Sequence, residues 1–275
     1  MALRDMRRMG WLVLAVGLLL GAAEVQAGVT LSPSRVVLRG KPKKVLTGFF
    51  TVENPDAEPL TIIVEPEDWA RGIGGARGPV PWLAVKPARL TLAPGRSARV
   101  KFTVRIPKDA SGELRSQVFF TSSAGGKGSV PLKTRVGAIL YVAIEGGERI
   151  EGSLTRVEGF YTASTPGVAK PDRLEIVLHV HNASNVHVVP EGRIVVRNAE
   201  GLKAAATELP AGWGLLPNQE DLYHAVGHGI HLKPGRYTVE VTLNFGGDLS
   251  QPTTLTNTFS AEVTEAGQWR FLSSP

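Results

Sequence analysis

The sequence predicts an all-β protein built from two tandem β-sandwiches. Three observations carry that expectation. Beyond Gly28 the 3.6-residue hydrophobic period of amphipathic helices is nearly absent. In its place stand short runs rich in Val, Ile, Leu, Thr and Phe, many alternating apolar and polar at period two. Between them Pro, Gly and Asn recur as turn signals, at the spacing typical of sandwich strands.

The first half yields about seven strand candidates. They are VTLSPSRVVL, KVLTGFFTVEN, LTIIVEPEDW, RLTLAPG, SARVKFTVRIP, RSQVFFTSS and VPLKTRVGAILYVAIEG. This count and spacing read as an immunoglobulin-like sandwich. Asn54 to Leu60, NPDAEPL, is a turn, and LAPGRSARVKFTV is a strand, a Pro-Gly turn and a strand. That pattern suits either a hairpin or a corner between sheets. Gly146-Gly147 breaks the seventh strand and marks the domain boundary. In the second half, RLEIVLHVHNASNVHVVPEGRIVVRNAEG reads as a strand, an Asn/Ser-rich turn, a short strand and a third strand. LKPGRYTVEVTLNFGG mirrors the Pro-Gly pattern of the first half, and NTFSAEVTE closes the set. The expected division is a signal peptide over 1–27, one immunoglobulin-like sandwich over 28–146, a second over 147–265 and a tail over 266–275. Trp269 and Phe271 in the tail are expected to pack back on the second sandwich.

Residues 1–27 have the form of an export signal. Arg4, Arg7 and Arg8 precede an apolar run from Trp11 to Ala23, and Val25-Gln26-Ala27 fits a cleavage site before Gly28. The run is too short to span a bilayer comfortably. The protein is therefore expected to be periplasmic or otherwise exported, without a transmembrane segment in the mature chain. There is no cysteine, so neither disulfides nor lipidation near the cleavage point enters the argument, and stability rests on the core. Of the formal charge of +6, the first 27 residues hold +1, from three arginines against Asp5 and Glu24, which leaves +5. Along the sequence this charge is spread out. It permits attraction to anionic envelope polymers and gives no cluster of the kind nucleic acid requires.

Catalytic signatures are missing. The chain has no nucleophile elbow, zincin helix, P-loop or paired-carboxylate pattern, so it is read as a non-enzyme without a cofactor. All six histidines (179, 181, 187, 224, 228 and 231) fall in the second half. Their spacing lacks a supporting ligand pattern, and no metal site is expected. Asn182-Ala183-Ser184 matches a glycosylation sequon but reads as a turn. Attention falls instead on residues 130–146. There Val136, Ala138, Leu140 and Val142 share one face, while Gly137, Ile139 and Tyr141 share the other. A strand apolar on both faces is either central in a sheet or an edge that another chain covers.

The stretch GVTLSPSRVVLRGKPKKVLTGFFTVENPDAEPLTIIV resembles the start of the amino-terminal domain of PapD-like periplasmic pilus-assembly chaperones. WLAVKPARLTLAPGRSARVKFTV, IPKDASGELRSQVFFTSS and VPLKTRVGAILYV are similar to later segments of that domain, so the resemblance covers residues 28 to about 146. It implies strand donation to surface-fibre subunits, with Arg35 at the family's anchoring arginine. The family's second anchoring cation falls near Gly137, two residues from Arg135 on the same face. The implied site is thus a buried Arg35 and Arg135 pair gripping a partner's terminal carboxylate, beside an open strand at Val136, Ala138, Ile139, Leu140, Tyr141 and Val142. The implied partners are proteins: pilus or surface-fibre subunits and an outer-membrane assembly protein. The rival reading is a structural or adhesive cell-envelope module whose corresponding strand is paired within its own sheet.

Overall fold

In the computed structural model, residues 28–69, 78, 80–124, 132–164, 171–212, 214–246 and 253–272 are described. The signal peptide expected over 1–27 and most of the loop SSAGGKGS lie outside them. The period-two runs form strands, and none of the described residues lies in a helix long and apolar enough to cross a membrane. In the first half the strands are β1 (Thr30–Ser32), β2 (Arg35–Gly40), β3 (Val45–Glu53), β4 (Leu60–Asp68), β5 (Leu83–Lys86), β6 (Arg89–Leu92), β7 (Ser97–Arg105), β8 (Glu113–Ala124) and β9 (Leu132–Ile144). They form two sheets, ordered β1-β3-β7-β5 and β2-β9-β8-β4-β6. Phe50 of β3 meets Phe102 of β7 at 5.0 Å between ring centroids and Phe120 of the opposite sheet at 5.7 Å. These three fully buried rings tie the two layers into one core with Ile62, Val118 and Leu140.

Two of the sequence runs divide in an informative way. VTLSPSRVVL is not one strand. Its first part pairs with β3, and after Ser32–Ser34 its second part crosses to the other sheet and runs parallel to β9. The LAPGRSARV turn, open between hairpin and corner in the sequence, is a corner. It joins β6 of one sheet to β7 of the other, with Gly95 at φ 64°.

The second half has its own core. Its strands are β10 (Gly152–Thr162), β11 (Arg173–Asn182), β12 (Glu191–Asn198), β13 (Lys203–Leu209), β14 (Glu220–His228), β15 (Gly235–Phe245), β16 (Thr253–Val263) and β17 (Trp269–Phe271). The sheets are β10-β11-β14 and β13-β12-β15-β16-β17. Leu174, Ile176 and Leu178 of one sheet are buried with Ile194, Val239, Val241 and Phe245 of the other. The short strand expected at VHVV is a single bridge between Val188 and Leu215. The tail returns as β17, pairing with the end of β16 and packing Trp269 and Phe271 on this core. Gly159 is required there, because a Cβ at that position would lie 2.3 Å from the Trp269 indole nitrogen.

Both halves organise a turn with the same device. Asn54 is fully buried, its amide donating to the carbonyls of Glu58 (2.8 Å) and Leu92 (3.0 Å) while its oxygen accepts from the Asp56 N–H. Asn182 does likewise toward Val186 (3.0 Å), Leu215 (2.8 Å) and the Ser184 N–H. A buried amide with every bond made fixes a turn that the backbone alone leaves floppy. The Asn182 turn is the one that carries His187 toward the first half.

Candidate functional site

β9 is paired unequally on its two sides. Against β8 it pairs along its whole length, from Glu113↔Ala143 to Ala124↔Leu132. Against β2 it pairs only from Arg35↔Ile139 to Gly40↔Ile144. Among the described residues, Leu132 to Ala138 therefore has a neighbour on one side only. The Ile139 N–H donates to the Ser34 carbonyl at 2.9 Å, so residue 139 aims its backbone groups at the β2 side. By the two-residue period of a strand, Gly137, Arg135 and Lys133 aim their N–H and C=O the same way, where β2 no longer runs. Thr134 and Val136 point toward the core and are only half-buried.

This corrects the expected open strand at Val136 to Val142. Ile139, Leu140, Tyr141 and Val142 lie in the part that β2 covers. Ala138, Leu140 and Val142 are 0% exposed and fill the first sandwich's own core. The physical reason is the sheet switch at Ser32–Ser34, which lays β2 along the apolar half of β9. The more polar half is left open, as edge strands generally require.

The two arginines are also placed otherwise than expected. Both stand on the outer face of the sheet and neither is buried. Arg35 lies opposite Ile139, four residues from Arg135, or about 13 Å along the strand. Arg135 pairs with the Glu67 carboxylate and covers the Phe119 ring, its guanidinium carbon 3.6 Å from the centroid. Arg35 turns to the second half, reaching His187 Nε2 at 3.4 Å and lying 5.7 Å from the centre of the Tyr141 ring. One carboxylate in a fixed position does not meet both.

What Arg35 meets is a buried cluster that sequence reasoning missed. Glu113 opens β8 and His187 follows the Asn182 turn; both side chains are 0% exposed. The Glu113 carboxylate pairs with His187 Nδ1 and accepts the His187 backbone N–H at 3.3 Å. The imidazole stacks on Tyr141 with ring centroids 3.7 Å apart and planes 15° from parallel. Trp69 lies beyond, 5.8 Å from Tyr141. Since an arginine N–H only donates, His187 Nε2 accepts from Arg35, which puts the ring proton on Nδ1 facing Glu113. Burial pushes the Tyr141 phenol up to about 12, with Glu113 raising it further and Arg35 and Arg115 opposing. Burial likewise lowers Arg115, against the pull of Glu113.

The backbone closes the same junction. Gly112 adopts φ 69°, and a Cβ there would lie 2.6 Å from the Asn185 carbonyl oxygen. Asn185 in turn donates to the Gly147 carbonyl at 2.7 Å and accepts the Arg149 N–H at 2.8 Å. Glu113 and His187 are 74 positions apart and Asn185 and Gly147 are 38 apart, and no local pattern links them. Three of the other five histidines take separate acidic partners: His224 with Glu175, His231 with Asp172, and His179 between Glu158 and Glu220.

No family model and no curated protein matches the sequence. The fold is similar to solved fimbrial chaperones over most of the chain. The class 5 fimbriae chaperone CfaA has a TM-score of 0.49 and 13% identity over 84% of this chain and 98% of its own. The E. coli chaperone DraB gives 0.41 and 16% identity over 83% and 98%. The Pseudomonas aeruginosa CupB2 chaperone gives 0.40 and 12% over 83% and 98%.

Proposed function

We propose that the chain is an exported, non-enzymatic binding protein that takes up an extended segment of a protein partner at the open half of β9. The observation that carries this is the one-sided pairing of Leu132 to Ala138. Addition of a strand to a sheet edge obtains its affinity from backbone bonds and its register from side-chain pockets. Lys133, Arg135 and Gly137 each offer a donor and an acceptor. At about 0.5–1.5 kcal/mol net per bond, the backbone alone contributes roughly 3–9 kcal/mol, comparable to the ~4–15 kcal/mol cost of association. Side chains must therefore add to it, and half-buried Val136 and Thr134 mark where a partner residue extends the core. The resemblance of residues 28–146 to pilus-assembly chaperones supports the same reading and suggests surface-fibre subunits as the partner class. In that setting Glu113 and His187 orient Arg35, the cation nearest the closed end of the edge.

A second reading has its own support. Lys133 and Arg135 are charged side chains on an edge strand, a common device against strand addition. In a structural envelope module they would keep the edge single.

Site-specific photocrosslinking separates the two. A benzophenone side chain at Lys133 or Arg135 should yield one partner joined through an extended segment, and a probe at Lys203, on the second sandwich, should not. Absence of any crosslink from both edge positions in the native envelope would sink the strand-capture reading and favour the structural module.

A further inference from the structure

The outer face of the other sheet of the first sandwich gathers charges that are scattered in sequence. Lys86 of β5, and Arg99, Lys101 and Arg105 of β7, all stand exposed on it. Lys86 and Lys101 are directly paired across the two strands. Like charges opposite one another weaken a sheet. None of the four has an ion pair among the described residues, and the exposed acid of this face, Glu53, lies diagonal to Arg99 at one end, away from Lys86, Lys101 and Arg105. Among the cations lie two exposed apolar side chains, Phe49 at 41% and Val45 at 48%. Arg99 stacks on Phe49 with its guanidinium carbon 3.8 Å from the ring centre. Phe49 is itself paired with Lys101, and Val45 with Arg105.

We infer that this face docks on an anionic phospholipid surface. This set of cations, crowded on one side of a four-stranded sheet, calls for an anionic counterpart. Exposed aromatic and aliphatic groups among lysines and arginines are the composition of interfacial membrane contacts. The inference stands apart from strand capture: the face belongs to the sheet opposite β9, so a chain lying on lipid by this side turns the open edge and Arg35 away from the membrane.

The test is flotation of the purified protein with phosphatidylcholine vesicles, with and without phosphatidylglycerol. Binding is expected only when the anionic lipid is present and should fall steeply as salt is raised. Each cation near an anionic surface accounts for about fivefold in partition. K86Q/K101Q should thus weaken binding by about 25-fold, with circular dichroism unchanged because both side chains are exposed. F49S should weaken it further at fixed charge. The charge-matched control K203Q/R236Q, on the second sandwich, should bind as wild type. Equal loss in that control, equal binding to neutral vesicles, or binding to heparin with none to vesicles would each overturn the inference, the last in favour of a soluble polyanion.

Discussion

Replacing His187 by Ala should loosen the two sandwiches from each other while leaving both cores intact. The imidazole belongs to neither core, although Val186 and Val188 on either side are buried in the second half. Two contributions disappear with it. Its stack on Tyr141 at 3.7 Å is worth about 0.5–1.5 kcal/mol. The larger effect is on Glu113, fully buried, which loses its partner and keeps Arg115 at 3.7 Å as its nearest ion-pair neighbour. Leaving a buried charged acceptor without its donor costs about 1–3 kcal/mol or more. The second effect decides the outcome, since the first is within the range of many surface changes. Calorimetry of wild type, H187A, E113Q and the double variant measures it. The transition of the less stable sandwich should fall by about 10 °C in H187A. In the double variant the loss should be smaller than the sum of the singles, because the neutral amide that replaces the Glu113 carboxylate no longer strands a charge. Additive losses, or a shift in H187A of only a degree or so, would refute the claim that the pair holds the junction.

Other outcomes follow from the same geometry. Leu140→Asp should unfold the first sandwich, since Leu140 is 0% exposed and paired on both sides, whereas Gly137→Pro should fold, its N–H lying on the open side; proteolysis resistance distinguishes them, and the Pro variant should lose the crosslinked partner. Gly112→Ala should lower the melting temperature by an amount matching about 1–3 kcal/mol of backbone strain, because φ is 69° and Asn185 blocks the new Cβ. Asp172 is held well below the usual carboxylate range by its bonds to Ser164 first, then His231 and Tyr161. A depressed folded pKa means that its stabilisation is present above the unfolded value of about 4 and is lost as pH falls below it. Asp172→Asn should therefore melt lower than wild type at neutral pH, with the gap closing in thermal melts taken from about pH 4 downward.

Local patterning in the sequence determined the all-β architecture, the strand runs and the turns. The strand character of residues 132–144, the Asn54 and Asn182 turns and the Pro-Gly turns are short-range chemistry, so they can be read along the chain. The tertiary structure decided which strands are neighbours. Ile139 to Val142 looks the same in sequence whether it is an edge or is covered, because apolar faces on both sides suit either. Only the crossing at Ser32–Ser34 brings Arg35 beside Ile139, 104 positions away, and closes that half of β9 while leaving Leu132 to Ala138 open. His187 reads as one of several scattered histidines until the Asn182 turn sets it against Glu113 and Tyr141. Lys86 and Lys101 likewise read as dispersed charges until β5 pairs with β7. In each case the deciding contact joins residues far apart in the chain. Its energy depends on strand order and register, which hydrophobic periodicity leaves open.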